Sequence, residues 1–325
     1  MDVRTTTLGT STSMLNYITS GESKYFKLSE EASSGLKLTL PSENPTATRT
    51  VLNINTRLSQ LSSYANNMSL AQNELDVSDN TLTSISTAIQ NANDLATQAA
   101  NGTYSQKDLD NIRTQVNQIM SNVTDLANTQ YNGNYIFAGT STTTPAYKVV
   151  TDASGNITSA TYQGTPSTGD YQRNVQIADG VSLPVNTTGD QVLGSYTASS
   201  AGPPAVAATG SGLLYTLGTL SEALGNGNVN TTVPSISSSI DSLTANLDTV
   251  LSTQTQFASV SKRFEMTENS NSSMTTQLKS SRSDLQDADL SQVLTDLTAQ
   301  KNALQATMSV TSQLLNGVSL LDYIK

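Results

Sequence analysis

Between Val51 and Ala100 an apolar residue returns at every seventh position from Ile54: Leu61, Met68, Leu75, Leu82, Ile89 and Ala96. A strand repeats its side chains every second residue, whereas a helix comes back to nearly the same face after seven. The stretch holds neither proline nor glycine, so it predicts one uninterrupted helix of roughly 75 Å at about 1.5 Å per residue. Positions three before each of these run Val51, Leu58, Ala65, Gln72, Asp79, Ser86 and Asn93, so the seam starts as a full two-edged stripe and then loses one edge. Ala71, Ser78, Ile85 and Ala92 take over on the other side, as expected when a 3.6-residue helix drifts across a seven-residue repeat. Such a rod must find partner helices along its length.

Three further segments carry the same phase. Met14, Ile18, Tyr25, Leu28 and Ala32 predict an amphipathic helix over about 11–34, interrupted at one seam position by Gly21 and stopped by Gly35. Leu109, Ile112, Val116, Ile119, Val123 and Leu126 predict a helix opened by Ser105, with Asp108 near its positive end, folding back on the end of the rod. After Pro234, the residues Ile236, Ile240, Leu243, Leu247, Val250, Phe257 and Phe264 hold a 4-3 spacing, with Gln254 and Ser261 as polar exceptions. From Glu265 to Ser283 the stripe fades, predicting a weaker helix or a hinge. The last helix restores it with Leu290, Leu294, Leu297, Leu304, Met308, Leu315 and Val318. The two terminal helices have matching narrow seams and should pair.

Proline and glycine set off the centre. Thr46–Thr144 and Ser235–Lys325 are proline-free, and fourteen of nineteen glycines fall between Gly133 and Gly227. From Thr140 to Thr232 the period becomes two. Lys148–Val150, Asn156–Thr158 and Ala160–Tyr162 bracket the turn Asp152–Gly155, and Val175, Ile177, Val181, Leu183 and Val185 alternate around Asp179–Gly180, a hairpin signal. A short strand is expected at Tyr135–Gly139, and Ala198–Gly212 reads as a low-complexity loop. The expected fold is therefore mainly α with an inserted β-rich domain. Paired terminal helices (1–38 and 285–325) would adjoin a long antiparallel, coiled-coil-like rod (39–139 and 234–284), with the β-rich insert at 140–233.

Composition narrows the chemistry. The 325 residues include no Cys, His or Trp, which removes thiol and imidazole nucleophiles, the usual zinc ligands and any disulfide framework. A net charge of −10 argues against nucleic acid or an anionic membrane as partner, and no apolar run reaches the ~18 residues of a membrane span. The start, Met1–Thr7, lacks the apolar stretch of a cleavable signal peptide. Asp284, Asp287 and Asp289 form the densest carboxylate cluster, but acidic residues entering a helix are common and no further ligands accompany them. Gly210-Ser211-Gly212 has Tyr215 where the third glycine of a dinucleotide fingerprint belongs. Tyr64, Tyr131 and Tyr135 read as packing residues. The residues predict no catalytic, cofactor or metal site and no enzyme. A two-helix pair is a poor core by itself, so the predicted interface is for assembly: Met14, Ile18, Tyr25 and Leu28 on the first helix, and Leu290, Leu294, Leu297, Leu304, Met308, Leu315 and Val318 on the last.

Four stretches resemble the flagellin family. Leu28–Lys37 with Pro41–Pro45 is similar to its N-terminal motif, Glu43-Asn44 standing where two aspartates are usual. Leu95–Thr103 is similar to a shared helix end and turn. Asn132–Thr140 with Val175–Val181 is nearer to the family's hook-associated junction members than to its filament subunits, and Arg282–Leu290 is similar to the entry of the family's C-terminal helix. The resemblance implies a structural adaptor between flagellar hook and filament, extracellular and exported unfolded without a cleavable signal. It further implies an export chaperone on the C-terminal region, a second junction protein, flagellin, and copies of itself in a ring as partners. The alternatives are a filament subunit, or a carbohydrate-binding or enzymatic module in the insert.

Overall fold

A computed structural model describes residues 7–100, 104–199, 207–225 and 229–317. In chain order it contains α1 (Thr7–Ser34), α2 (Pro45–Ala99), α3 (Gln106–Ala127), β1 (Gln130–Tyr131), β2 (Asn134–Tyr135), β3 (Tyr147–Thr151), β4 (Ile157–Tyr162), β5 (Asn174–Ala178), β6 (Val181–Pro184), α4 (Gly189–Val192), β7 (Ser195–Thr197), β8 (Thr209–Ser211), α5 (Gly212–Gly225), α6 (Val229–Gln286) and α7 (Leu290–Gly317). Helices predominate and the sheets are small and antiparallel, as the periodicities predict. Two units emerge, one of Met1–Gln60 with Ser272–Lys325 and one of Leu61–Asn271.

The second unit holds the hydrophobic core. The α2 heptad positions within it are all buried, Leu75, Leu82 and Ile89 among its largest enclosed side chains, and the drift positions Ala71, Ser78, Ile85 and Ala92 are buried beside them. α2 and α6 run antiparallel. Gln72 Nε2 donates to Ser261 Oγ at 3.0 Å, and Gln254 Nε2 to Thr83 Oγ1 at 2.9 Å. Gln72 and Ser261, polar interruptions of their two seams, thus meet one another, which satisfies groups that would be costly to bury alone, and Gln254 reaches an exposed hydroxyl beside the α2 seam. α3 begins with a full capping box, Ser105 and Asp108 each bonding the other's backbone. These hydrogen bonds hold the Asp108 carboxyl below its ordinary range.

The four-stranded sheet has the order β3-β4-β7-β8, and β1-β2 and β5-β6 are separate hairpins. Asn128, just after α3, locks β3 in place by accepting from Tyr147 N at 2.8 Å and donating to Tyr147 O at 3.1 Å. Tyr147 is enclosed, packs edge-on against Tyr162 with centroids 5.5 Å apart, and donates to Gly194 O at 2.7 Å. Burial pushes its hydroxyl pKa well up. The β5-β6 hairpin, turned at Asp179-Gly180 as expected, is tied to α2 by the Arg173–Glu74 ion pair and by Asn67 Nδ2 donating to Gln176 O at 3.4 Å.

Several expectations are corrected. The period-two region does not extend to Thr232, because Gly212–Gly225 is helix α5. Leu213, Leu217, Leu220 and Leu224 are buried and return at a 4-3-4 spacing, a helical period inside the stretch expected to alternate. Gly210-Ser211-Gly212 closes the sheet rather than a loop: a side chain on Gly210 would run into the Ser195 backbone. At Tyr135–Gly139 only Tyr135 stays in a strand. Asn132 and Gly133, at φ 50° and 79°, make the tight β1-β2 turn, and Ile136, Phe137 and Ala138 then enter the core. α6 starts at Val229 rather than after Pro234 and continues through Glu265–Ser283 without a break. α1 starts at Thr7. The expected rod stop at Asn101-Gly102 lies outside the described residues, as do 200–206 of the expected loop.

Candidate assembly surface

In the first unit α1 and α7 pair, although their sequences lie at opposite ends of the chain. On α1 the predicted stripe, Met14, Ile18, Tyr25, Leu28 and Ala32, is half-buried, as is Gly21 within it. They face Val293, Leu297, Gln300, Leu304, Thr307 and Thr311, a 4-3 series on α7 of which only Val293 (7% exposed) and Thr311 (8%) are buried. Three contacts show the antiparallel register. Gln300 Nε2 donates to Gly21 O at 3.1 Å, Thr311 Oγ1 donates to Met14 Sδ at 3.6 Å, and a Cβ on Gly21 would stand 3.0 Å from Leu304 Cδ1. Gly21, an interruption in the sequence pattern, is therefore a point where α7 packs against the α1 backbone.

The predicted residues of α7 divide. Leu297 and Leu304 face α1, while Leu290 (48% exposed), Leu294 (55%) and Met308 (41%) lie outside that seam. At 100° per residue they sit about 80° round the helix from it. Leu15 and Phe26 are exposed on α1 in the same way. Val293, missed in the sequence, belongs to the inner face. The ambiguity is physical: 290-294-297 and 293-297-300 are both valid 4-3 series sharing Leu297. The side chain of Leu315 and the whole of Val318 lie outside the described residues.

The acidic cluster serves helix ends. Asp289 accepts from Ser291 N at 2.9 Å and Gln292 N at 3.2 Å, opening α7, and Asp287 accepts from Ser283 Oγ at 2.5 Å. Among the described residues no group of three or more acidic side chains could hold a metal ion. Glu43 pairs with Lys27 at 2.8 Å, which lowers the carboxyl pKa and raises that of the ammonium. Asn44 caps α2 by accepting from Ala47 N at 3.0 Å, with Pro45 as its first helical residue. Within the insert several aromatic and acidic groups bond one another or the backbone. Tyr196 donates to Glu222 at 2.8 Å, Ser199 donates to both Glu222 oxygens, and Asp190 accepts from Ser167 N at 2.8 Å.

Residues 6–142 match the model of the bacterial flagellin N-terminal helical region. Flagellar hook-associated protein 3 of Salmonella typhimurium is 27% identical over 311 residues, covering 93% of this chain and 94% of that protein. The Escherichia coli protein of the same name is 25% identical, covering 95% of each. The chain is similar to flagellar hook-associated proteins over nearly its whole length. A solved flagellar hook-associated structure from Vibrio parahaemolyticus superposes with a TM-score of 0.62 at 20% identity, over 75% of this chain and 100% of that one, so the fold is shared as well. The matched N-terminal region takes in α1, α2, α3 and the β1-β2 hairpin. Among the described residues no helix is long and apolar enough to cross a membrane.

Proposed function

We propose that the protein is a structural, non-enzymatic adaptor of the bacterial flagellum that joins the hook to the flagellin filament. The observation carrying this reading is the apolar flank of the terminal pair, Leu290, Leu294 and Met308 on α7 with Leu15 and Phe26 on α1, which the chain itself leaves in solvent. Covering such side chains is worth about 25 cal/mol per Å², so neighbouring subunits in a ring stabilise the pair by seating against this flank. The partners in this reading are copies of the same chain, a second hook-associated protein on one side and flagellin on the other. The protein travels outward unfolded, with an export chaperone on its C-terminal region, and acts outside the cell. It uses no cofactor.

Deleting the gene tests the proposal. Cells lacking it should build hooks yet release unassembled flagellin, and the wild-type gene should restore filaments. A gene carrying Leu290→Asp with Leu294→Asp should yield a protein that folds but fails to restore them. Loss of the filament subunit itself, with hooks still capped, would instead identify a flagellin. Full restoration by the double variant would remove the flank from the interface.

A further inference from the structure

The two linkers that leave α1 and enter α7 are joined to each other. α1 stops at Gly35, whose φ of +71° is left-handed and whose N–H bonds Glu31 O at 2.9 Å. The chain then runs antiparallel to residues 286–288. Leu36 is bridged to Asp287, Lys37 N donates to Gln286 O at 2.8 Å, and Ala288 N donates to Gly35 O at 2.8 Å. Lys37 Nζ also donates to the Asp284 carbonyl at 2.6 Å, across 247 positions of sequence, satisfying an end group of α6.

The α1–α7 seam has few means of choosing its own alignment. Gly21, Gln300, Thr307 and Thr311 occupy seam positions, and a slide of one heptad would set Leu297 rather than Leu304 against Gly21 with little loss of apolar contact. The linker bonds have no such freedom, because each joins one particular N–H to one particular carbonyl. Once they form, the long loop between α1 and α7 is closed, and each further turn adds contacts without paying that closure entropy again. We infer that residues 35–37 and 286–288 are a clasp that sets the register of α1 against α7 and from which the pair winds toward the chain ends. This goes beyond the assembly reading and holds whether or not the outer flank meets a neighbour.

Hydrogen exchange on the full-length protein, resolved by peptide, tests the clasp. Ala288→Pro deletes the N–H that bonds Gly35. Asp287 already lies in a bridge, an extended conformation that tolerates a following proline. Exchange should quicken at least ~10-fold in α1 and α7 together, with α3 unchanged. Quickening confined to α7, or none, overturns the inference. Should α3 lose protection too, the decision passes to Leu36→Cys with Asp287→Cys, placed in a chain that has no other cysteine. These two residues face each other without bonding one another's backbone, the closer kind of antiparallel pair, within reach of a disulfide. The oxidised protein should exchange more slowly than the reduced one in both α1 and α7. No difference, a difference in α7 alone, or failure of the thiols to join in the native protein overturns it.

Discussion

The layer formed by α3, α5 and the four-stranded sheet and the pair formed by α1 and α7 both set one helix face against another, yet only the first encloses what it buries. Leu213, Leu214, Leu217 and Leu220 of α5 are fully inaccessible, and Val116 and Val123 of α3 match them. The α1–α7 seam has no side chain buried to that degree among its described residues, and Val293 and Thr311 are its most protected. Three layers close round a core, whereas two helices leave each other's flanks in water. The contrast teaches that similar apolar spacing can build a finished core or an unfinished one, according to how many neighbours share it.

Truncation separates the two most strongly. Leu217→Ala should lower unfolding stability by about 3–5 kcal/mol, because it opens a cavity that nothing can refill, whereas Leu304→Ala should cost under ~1.5 kcal/mol, since water already reaches its site. Denaturant titration of both variants checks this, and equal losses would break the comparison. Next in size is Tyr147→Phe, which leaves the Gly194 carbonyl unpaired in the core and should cost about 1–2 kcal/mol.

The same tyrosines give the core a pH limit. Burial pushes Tyr147 well above its ordinary value of 10.0 and raises Tyr162 and Tyr196 too. A raised native pKa contributes stability that is present below the unfolded value and lost as pH climbs past it. Alkaline unfolding should therefore set in above about pH 10, with these three of the twelve tyrosines ionising only as the core opens, seen as a late step in tyrosinate absorbance. Early ionisation of all twelve would contradict their burial.

Smaller effects lie between the helices. Ser261→Ala should cost about 1 kcal/mol by removing the acceptor of Gln72, and pairing it with Gln72→Leu should recover part of the loss. The least is expected at the Lys27–Glu43 pair. Its carboxyl pKa is lowered, so its contribution is present above the unfolded carboxylate value and fades as pH falls through the native one. Glu43→Gln should abolish that acid dependence in the exchange of residues 38–44 while leaving α5 untouched.

The long helices, the capping box at Ser105, the hairpin at Asp179-Gly180 and the pairing of the termini were legible because each rests on local spacing: seven-residue returns, a cap three residues before its partner, a turn between alternating strands. The candidate surface was legible only in part. Leu297 and Leu304 face α1 and Gly21 stands at its expected seam position, but Val293 could not be assigned, since a 4-3 pattern fits two neighbouring stripes. α5 carries a legible 4-3 series too, Leu213, Leu217, Leu220 and Leu224, but it is short and set among the glycines and alternating residues that predict strands.

What the sequence determined alone was therefore the set of faces: which residues must leave water, and with what period. The tertiary structure decided which faces meet. Gln72 came to sit against Ser261, Gln254 against Thr83, and the linker at Gly35 against Ala288, because a polar group withdrawn from water must find a partner and the partner can lie anywhere along the chain. It also decided that Leu290, Leu294 and Met308 stay exposed, since a single partner helix covers one stripe of α7 and leaves the next to whatever else can bind it.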